Sequence, residues 1–306
     1  MPPNVLIDST IRALQVGSLY ALMALGITLT MRVVRLPNFA HAEYITVGAY
    51  TALIVSFAIS GSPIVVLGLA FIVSALVALG AHQLVFRPLE QQKNSSYTLL
   101  LASFAVGLIL RYILFLLVDY FELFDKRIQV PLQIWYREGT LILTNIFFWV
   151  VPTSIGLVIA LSLLLKFTPL GREMRALANN LELARVIGIR VERVKNLTWL
   201  LVGGLAGVAG ALWGIYTSVN PLMGWFAILS VFAAAILGGL SSFTGTIIGA
   251  YIVSFSENVL MQFLNFNFGL DFSFKPAIPF VIIILVLLLR PQGMVDFFRS
   301  NRGLKR

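Results

Sequence analysis

The stretch "LPNFAHAEYITVGAY", residues 36–50, places polar side chains between two strongly apolar runs of the chain. Pro37 disfavours helical geometry at the residue before it, so we predict that the first apolar helix ends there. Asn38 is a favourable N-cap, and we predict that it caps the next helix, with His41 at the third helical position. Polar groups at this depth are tolerated only where they face protein or water. We therefore predict a bent approach to a second membrane span, buried against other helices.

Composition assigns the chain to the polytopic membrane proteins. Its 306 residues are 59% hydrophobic and 11% charged, with a mean hydropathy of +0.93, whereas soluble domains carry about 25% charged residues. A membrane span needs about 20 apolar residues. Nine runs qualify as candidates: 11–31, 42–59, 63–86, 95–118, 144–165, 196–217, 226–240, 244–264 and 276–289. Because 226–240 is short enough to be re-entrant, we predict an all-α bundle of eight or nine spans in one domain, 1–306.

The N-terminal run and the residue inventory exclude several specialised features. Residues 1–10 contain no Lys or Arg, and the apolar run that follows exceeds a usual signal-peptide core, so we interpret it as a retained helix. The absence of Cys excludes disulfides, Cys-bound zinc and iron–sulfur sites. His41 and His82 are the only histidines, and no suitable cluster accompanies them, so no metal site is predicted.

The net charge of +9 is distributed as in a membrane protein rather than a nucleic-acid-binding one. Lys and Arg concentrate in alternate loops and in the C-terminal tail, where membrane topology and contact with lipid headgroups explain them. By the positive-inside rule, the N-terminus lies outside and the C-terminus in the cytoplasm. Loop 119–143 is then extracytoplasmic, with a small hairpin predicted around Glu138 and Gly139, and loop 166–195 is cytoplasmic.

The cytoplasmic loop 166–195 carries the pattern of a short amphipathic helix. Apolar residues recur at helical spacing with charges between them: Met174, Leu177, Ala178, Leu181 and Ala184. Gly171 lies near the start of this pattern, Gly188 is predicted to end the helix, and residues 191–195 are predicted to form a second turn. Such a helix can dock in a groove of a soluble partner or lie on the lipid surface, and the pattern alone leaves both open.

Sequence motifs along almost the whole chain resemble those of one transporter family. ABC import permeases dock their ATPase with the signature "E-A-A, three residues, G". A similar motif here consists of Glu182, Leu183 and Ala184, followed after three residues by Gly188, with Leu183 in place of one Ala. Five stretches, in order, resemble permease subunits of branched-chain amino-acid ABC importers: "LPNFAHAEYITVGAY" (36–50), "PLGREMRALANNLELARVIGI" (169–189), "LAGVAGALWG" (205–214), "ILGGLSSFTGTIIGA" (236–250) and "LLLRPQGM" (287–294). The resemblance is closer to the subunit with an N-terminal NFAH segment, in which Ala42 is usually Gly.

This resemblance implies an architecture, a location and a set of partners. The fold would be that of a type II ABC importer permease in the plasma (inner) membrane of a prokaryote. The partners would be a second permease subunit in a heterodimer, two cytoplasmic ATPase subunits, an extracytoplasmic solute-binding protein and membrane lipid. The cargo would be branched-chain or other neutral amino acids, with urea or short amides as the alternative. ATPase coupling would fall to Gly171, Arg172, Arg175, Glu182, Ala184 and Gly188.

The chain is expected to perform no chemistry of its own. It has no G-x-x-x-x-G-K-[ST] loop, so we expect no bound cofactor, with ATP and Mg on the partner ATPases. No H-E-x-x-H, G-x-S-x-G or acidic cluster supports a membrane enzyme, and no catalytic residue is assigned. An ion-coupled secondary transporter is the alternative, but it needs intramembrane acids, and only Glu257 lies well inside a span, with Glu43 near an edge.

Polar and small residues within the spans provide the remaining candidates. The substrate path is expected to be largely apolar and lined by spans 42–59 and 144–165 with the "GGLSSFTG" break. Candidate path or gating residues are Asn38, His41, Glu43, Gly239, Ser241 and Ser242. For His41 and Glu43, an internal structural pair or cap is the favoured alternative. The spacing of Gly203, Gly207 and Gly210 predicts close helix packing.

Two charged residues are predicted to lie at the same depth in the membrane. Arg111 and Glu257 are each roughly 20 Å from the cytoplasmic end of their spans at ~1.5 Å per residue. Equal depth and opposite sign predict a buried ion pair between the fourth and eighth spans. Arg111 can instead extend outward to the membrane surface, which is the alternative interpretation.

Overall fold

The computed structural model describes residues 2–59, 61–92, 95–129, 133–138 and 141–289. Within these ranges, the secondary structure is helical apart from the connecting segments and one pair of strands. The helices are α1 Pro3–Leu29, α2 His41–Ala58, α3 Pro63–Ala81, α4 Arg87–Gln91, α5 Ser96–Tyr120, α6 Asn145–Phe167, α7 Pro169–Asn179, α8 Leu181–Val186, α9 Val191–Tyr216, α10 Met223–Leu237, α11 Phe243–Phe255, α12 Met261–Phe268 and α13 Ala277–Leu289.

Three π-helical turns extend or join these helices. Thr30–Val34 continues α1, His82–Phe86 connects α3 to α4, and Ser256–Leu260 connects α11 to α12. With these turns included, and with the 3-10 turn Phe272–Phe274 counted with α13, seven helices of the described chain are long and apolar enough to cross a membrane: Pro3–Val34, Pro63–Gln91, Ser96–Tyr120, Asn145–Phe167, Val191–Tyr216, Phe243–Phe268 and Phe272–Leu289. Each of the nine predicted apolar runs coincides with a helix, which confirms the helical membrane bundle, although runs 42–59 and 226–240 are not among these seven.

The predicted boundaries can be compared with the structure at two places. The hairpin in loop 119–143 is confirmed, because β1 Ile134–Glu138 pairs antiparallel with β2 Leu141–Thr144. Its turn, 139–140, and the C-terminal residues from 290 onward lie outside the described residues. The second turn predicted at 191–195 is instead the first turn of α9, which places Val194 and Lys195 in the buried part of that helix.

The chain forms two compact units, and one of them comprises residues 29–130 and 156–228. In this unit, helices α2, α3 and α9 pack against one another at glycine residues. A methyl group on Gly48 would overlap the backbone of Gly207, and one on Gly210 would overlap the carbonyl of Ile45. Helices approach this closely only where the side chain is absent. The predicted contribution of the α9 glycines to close helix packing is therefore confirmed.

The other unit comprises residues 1–28, 131–155 and 229–306, and hydroxyl groups join α1 to α11 within it. Ser254 Oγ donates to the carbonyl of Ala13 at 2.7 Å. The hydroxyls of Thr28 and Thr246 lie 2.7 Å apart. Because lipid offers no partner to a polar group, each hydroxyl is satisfied by a neighbouring helix or by its own backbone. These bonds set the register of α1 against α11.

Candidate functional site

The corner between α6 and α7 depends on two residues singled out by sequence. Thr168 caps α7 by accepting a hydrogen bond from the Gly171 N–H at 3.2 Å. Gly171 lies so close to the backbone of Leu165 that a Cβ atom there would overlap it. The Arg175 guanidinium donates to the Leu165 carbonyl, which helps to satisfy the end of α6. Gly171 and Arg175 thus shape the turn, whereas Arg172 is exposed.

The amphipathic segment that follows is divided into two helices, so the prediction of one continuous helix is wrong. Asn180 adopts an extended conformation with φ −152° and ψ 110°, ending α7 and capping α8. Its Oδ1 accepts a hydrogen bond from the Leu183 N–H at 3.0 Å. Asn competes with helical backbone bonds through its own side chain, which explains why the helix stops there. Met174 and Leu177 on α7 are buried, as their spacing indicates.

The short helix α8 presents an apolar surface to its surroundings. Leu183, Val186 and Ile187 are 57%, 82% and 64% exposed, respectively. We call these three residues the α8 apolar patch. Glu182 is exposed beside the patch and pairs with Arg185 at 3.4 Å. Ala184 is buried, so it supports α8 from within rather than contributing to its exposed face.

Gly188 ends α8 as predicted, with φ +85°. The Ile189 N–H donates to the Ala184 carbonyl at 3.0 Å, and the Gly188 N–H donates to the Arg185 carbonyl at 3.1 Å. This pair of bonds is the Schellman arrangement, which requires a left-handed residue that Gly adopts at low cost. The chain turns there and enters α9 at Val191.

The segment before α2 differs from its predicted geometry. The helix begins at His41, with Ala40 at the N-cap position and no side-chain cap, so the prediction that Asn38 caps α2 is wrong, as is the third position predicted for His41. The physical reason is a turn at Phe39 and Ala40, where Ser103 Oγ accepts the Phe39 N–H at 3.1 Å. Asn38 is completely buried, and its side-chain amide lies near the buried Tyr44 hydroxyl without a hydrogen bond of good geometry.

Glu43 and Arg111 form a buried ion pair within one unit. Arg111 donates to Glu43 Oε1 from Nε at 3.0 Å and from Nη2 at 2.6 Å. The guanidinium also lies 4.2 Å from the ring centroid of Trp225, close enough for a cation–π interaction. The predicted pairing of Arg111 with Glu257 is therefore wrong, as is the outward extension of Arg111. The equal depth of Arg111 and Glu257 in the membrane did not identify the partner of Arg111, because depth does not determine the side of the helix from which a side chain projects.

Glu257 is buried in the other unit and has its own partners. Tyr20 Oη donates to Oε2 at 2.8 Å, and Ser230 Oγ donates to Oε1 at 2.5 Å. Two hydroxyl donors stabilise a carboxylate that lipid could not solvate. Glu257 lies on the π-helical turn 256–260, a kind of distortion often found at functional sites.

Residues 238–242 of the "GGLSSFTG" segment are non-helical, as the sequence predicts, whereas residues 243–245 form the start of α11. Gly239 has φ +87°, and Leu240 donates from its N–H to the Ala235 carbonyl at 2.7 Å. Ser242 caps α11 by accepting the Gly245 N–H at 3.2 Å. Ser241 is exposed. Ser242 therefore has a structural function in this arrangement.

Sequence reasoning missed several residues that shape these sites. Trp225 carried no local signal, because a lone aromatic residue near a helix start is common in membrane proteins. Asn180 was readable as an N-cap, but the apolar spacing that continues across it concealed the break. Lys195 pairs with Glu90, and this contact joins positions too distant in sequence to be inferred. Within the described residues, no group of three or more His, Asp or Glu side chains is arranged to hold a metal ion.

Comparisons with known proteins place these features in context. A family model described as "Branched-chain amino acid transport system / permease component" matches residues 9–288. The chain is 34% identical over 299 residues to the probable branched-chain amino acid transport permease protein LivH of Methanocaldococcus jannaschii, covering 94% of this chain and 92% of the relative. It is 28% identical over 299 residues to the high-affinity permease protein LivH of Escherichia coli, covering 91% and 92%. It is 25% identical over 271 residues to the probable permease protein LivM of M. jannaschii, covering 83% and 76%.

Proposed function

The chain belongs to the permease-component family of branched-chain amino acid transport systems, and on this premise we propose that it forms half of an ATP-driven import path. The observation that carries the proposal is the family match, which spans residues 9–288 and therefore all of the described site. The chain translocates branched-chain amino acids, which a solute-binding protein delivers from outside. ATP and Mg bind to cytoplasmic partner subunits, and this subunit itself catalyses no reaction.

The α8 apolar patch is the proposed contact with an ATPase subunit. Two exposed apolar side chains on α8 and a third on Ile187, directly after it, are costly in water, which favours a protein partner that covers them. Glu182 and Arg185 border the patch and can orient the partner by charge. The Gly188 turn leads directly into α9, so a displacement of α8 would be transmitted to a membrane-spanning helix.

The second half of the path is proposed to be a related permease subunit. The chain is similar both to a LivH protein and to a LivM protein of one organism, which supports a heterodimer of two homologous subunits. The distribution of Lys and Arg supports a plasma membrane orientation with the N-terminus outside and the C-terminus in the cytoplasm. Loop 166–195 then faces the ATPases.

Replacing Gly188 by Leu is expected to reduce transport-linked ATP hydrolysis at least about fivefold, because Leu is strained at φ +85° by about 1–3 kcal/mol. Apart from the neighbouring residues in the chain, no atom lies within 4 Å of a Cβ built at Gly188. The loss of ATP hydrolysis would therefore arise from backbone strain and not from a steric clash. ATP hydrolysis would be measured in the purified complex in the presence of its binding protein.

Gly188→Asn is the matched control, because Asn tolerates left-handed geometry and is expected to retain most of the coupled hydrolysis. Normal coupling in Gly188→Leu, with the permease inserted at the usual level, would contradict the assignment of α8 as the coupling helix.

Single cysteines introduced into the Cys-free chain are expected to map the substrate path. Selected positions in spans 42–59 and 144–165 and in the "GGLSSFTG" segment should react with aqueous thiol reagents, and their reactivity should change during ATP turnover. Ile284 on α13 is the control, because it is exposed on a helix that membrane lipid would cover, and a cysteine there should stay unreactive. Uniform protection of all three segments in both conditions would refute the path.

A further inference from the structure

The connection between α1 and α2 is strained at Arg35. The π-helical turn Thr30–Val34 ends there, and Arg35 has φ 60° and ψ 34°, in the left-handed region. A residue other than Gly is uncommon in this conformation, which costs about 1–3 kcal/mol unless the surroundings compensate. The Arg35 N–H donates to the Thr30 carbonyl, so the strained residue closes the end of the helix.

The side chain of Arg35 joins this connection to α7. Its Nη2 donates to the Ala178 carbonyl at 3.2 Å, in the last turn of α7. A cation at a helix C-terminus is favourable because the last carbonyl groups have no helical partner and carry partial negative charge. Helix α7 also lies against the turn 30–34. The segment that leads into the α8 apolar patch is therefore attached to the chain immediately before α2.

A second unfavourable feature lies three residues further along. Asn38 is fully buried, and its amide reaches only the Tyr44 hydroxyl, without a hydrogen bond of good geometry. The same residue is suited to cap α2, yet α2 begins at His41 without a side-chain cap. Strain in the backbone and a poorly satisfied amide thus coincide in one short segment, 35–40. Such a segment is favoured as a hinge, because a second conformation can relieve both costs.

We propose that Arg35 is a positioning residue that transmits movement of α7 to α2, with residues 35–40 as the hinge. The proposal rests on the proposed function, in which an ATPase binds the α8 apolar patch. Displacement of α7 carries Arg35 with it, and the hinge changes to a conformation in which Asn38 caps a longer α2. The movement thereby reaches the helix that carries Glu43, without passing through α9.

Substitutions at Arg35 test whether the connection needs a cationic hydrogen-bond donor at this position. Arg35→Gly removes the strain and the hydrogen-bond donor together, whereas Arg35→Lys keeps a cationic donor at the same backbone conformation. The readouts are co-purification of the ATPase, basal ATP hydrolysis, hydrolysis stimulated by the binding protein, and uptake of radiolabelled leucine by the whole reconstituted complex. We expect the Arg35→Gly variant to bind the ATPase and to hydrolyse ATP at the basal rate, but its hydrolysis in the presence of the binding protein should fall about fivefold or more. The Arg35→Lys variant should retain most of the stimulated hydrolysis.

Asn38→Ala provides a second test with a result that a purely structural function would not give. Removal of the amide should leave the thermal stability nearly unchanged, because only a poorly formed contact with the Tyr44 hydroxyl is lost in the present conformation. Uptake should nevertheless fall by about fivefold, since the second conformation loses its cap. Asn38→Asp keeps a capping oxygen and is expected to retain more uptake than Asn38→Ala.

Distinct results would overturn the hinge and the proposed function. Stimulated hydrolysis and uptake at the unmutated level in both Arg35→Gly and Asn38→Ala would overturn the hinge, while ATPase binding would still support the proposed function. Loss of ATPase co-purification in Arg35→Gly would also overturn it, because Arg35 would then contribute to docking rather than to transmission. Failure of the unmutated chain to bind any ATPase would contradict the proposed function itself.

Discussion

Replacing Arg111 by Gln is expected to destabilise the protein by about 3–5 kcal/mol, because the change leaves the Glu43 carboxylate buried without its cation. Glu43 is completely buried, and its second oxygen, Oε2, has no hydrogen-bond partner. Glu43→Gln should be less harmful, since Trp225 continues to contact the guanidinium. The free energy of unfolding would be measured in lipid bicelles.

The double variant, Glu43→Gln with Arg111→Gln, is expected to be more stable than Arg111→Gln alone. Two neutral amides at these positions leave no buried charge, so the two effects should not add. The exposed pair of Arg12 with Asp8 is a matched control, and its removal should cost about 1 kcal/mol or less. Additive losses in the double variant would show that the two side chains do not interact energetically.

Gly210→Ala is expected to destabilise the protein by about 3 kcal/mol, at the upper end of typical costs of overpacking. The new methyl group would overlap the Ile45 carbonyl, which is backbone and cannot rotate away. The helices α2 and α9 would have to separate, with loss of the packing around Gly48 and Gly207. The loss would be observed as a lower unfolding temperature and a lower yield of folded protein.

Gly68→Ala is the control for this substitution, because it lies in α3 with no atom within 4 Å of the added Cβ. Ala is favoured over Gly in a helix by about 0.5–1 kcal/mol, so this variant should be neutral or slightly stabilised. Equal stability of Gly68→Ala and Gly210→Ala would contradict the close contact between α2 and α9.

The positions of the helices could be predicted from sequence because a membrane allows few backbone structures other than a helix. A backbone segment in lipid must satisfy its own polar groups, so each long apolar run becomes a helix. The end of α8 at Gly188 and the break at Gly239 were also predictable, since both depend on local backbone geometry that Gly favours. These features depend on neighbours within a few residues of the chain.

The partners of buried polar residues were harder to predict from sequence, because they depend on how each helix is rotated about its own axis. Arg111 could be placed at a depth, but its pairing with Glu43 rather than Glu257 depends on which face of α5 is buried. The N-cap predicted for Asn38 failed for a related reason, because Ser103 on α5 binds the Phe39 N–H and favours a different turn. A local preference was therefore overridden by a contact with a distant segment.

The π-helical turn at Ser256–Leu260 has a consequence for aligning this chain with its relatives. Gly245, Gly249, Val253, Glu257 and Met261 are all buried, at a strict interval of four residues. In a regular α-helix, an interval of four drifts by about 40° at each step, or about 160° from the first residue to the last. The π turn adds one residue and rotates the later positions back by about 100°. The five buried residues therefore stay on one side of the helix. A relative with a straight helix must therefore be aligned with a one-residue gap inside this span, and an ungapped alignment would match buried positions to lipid-facing ones beyond it.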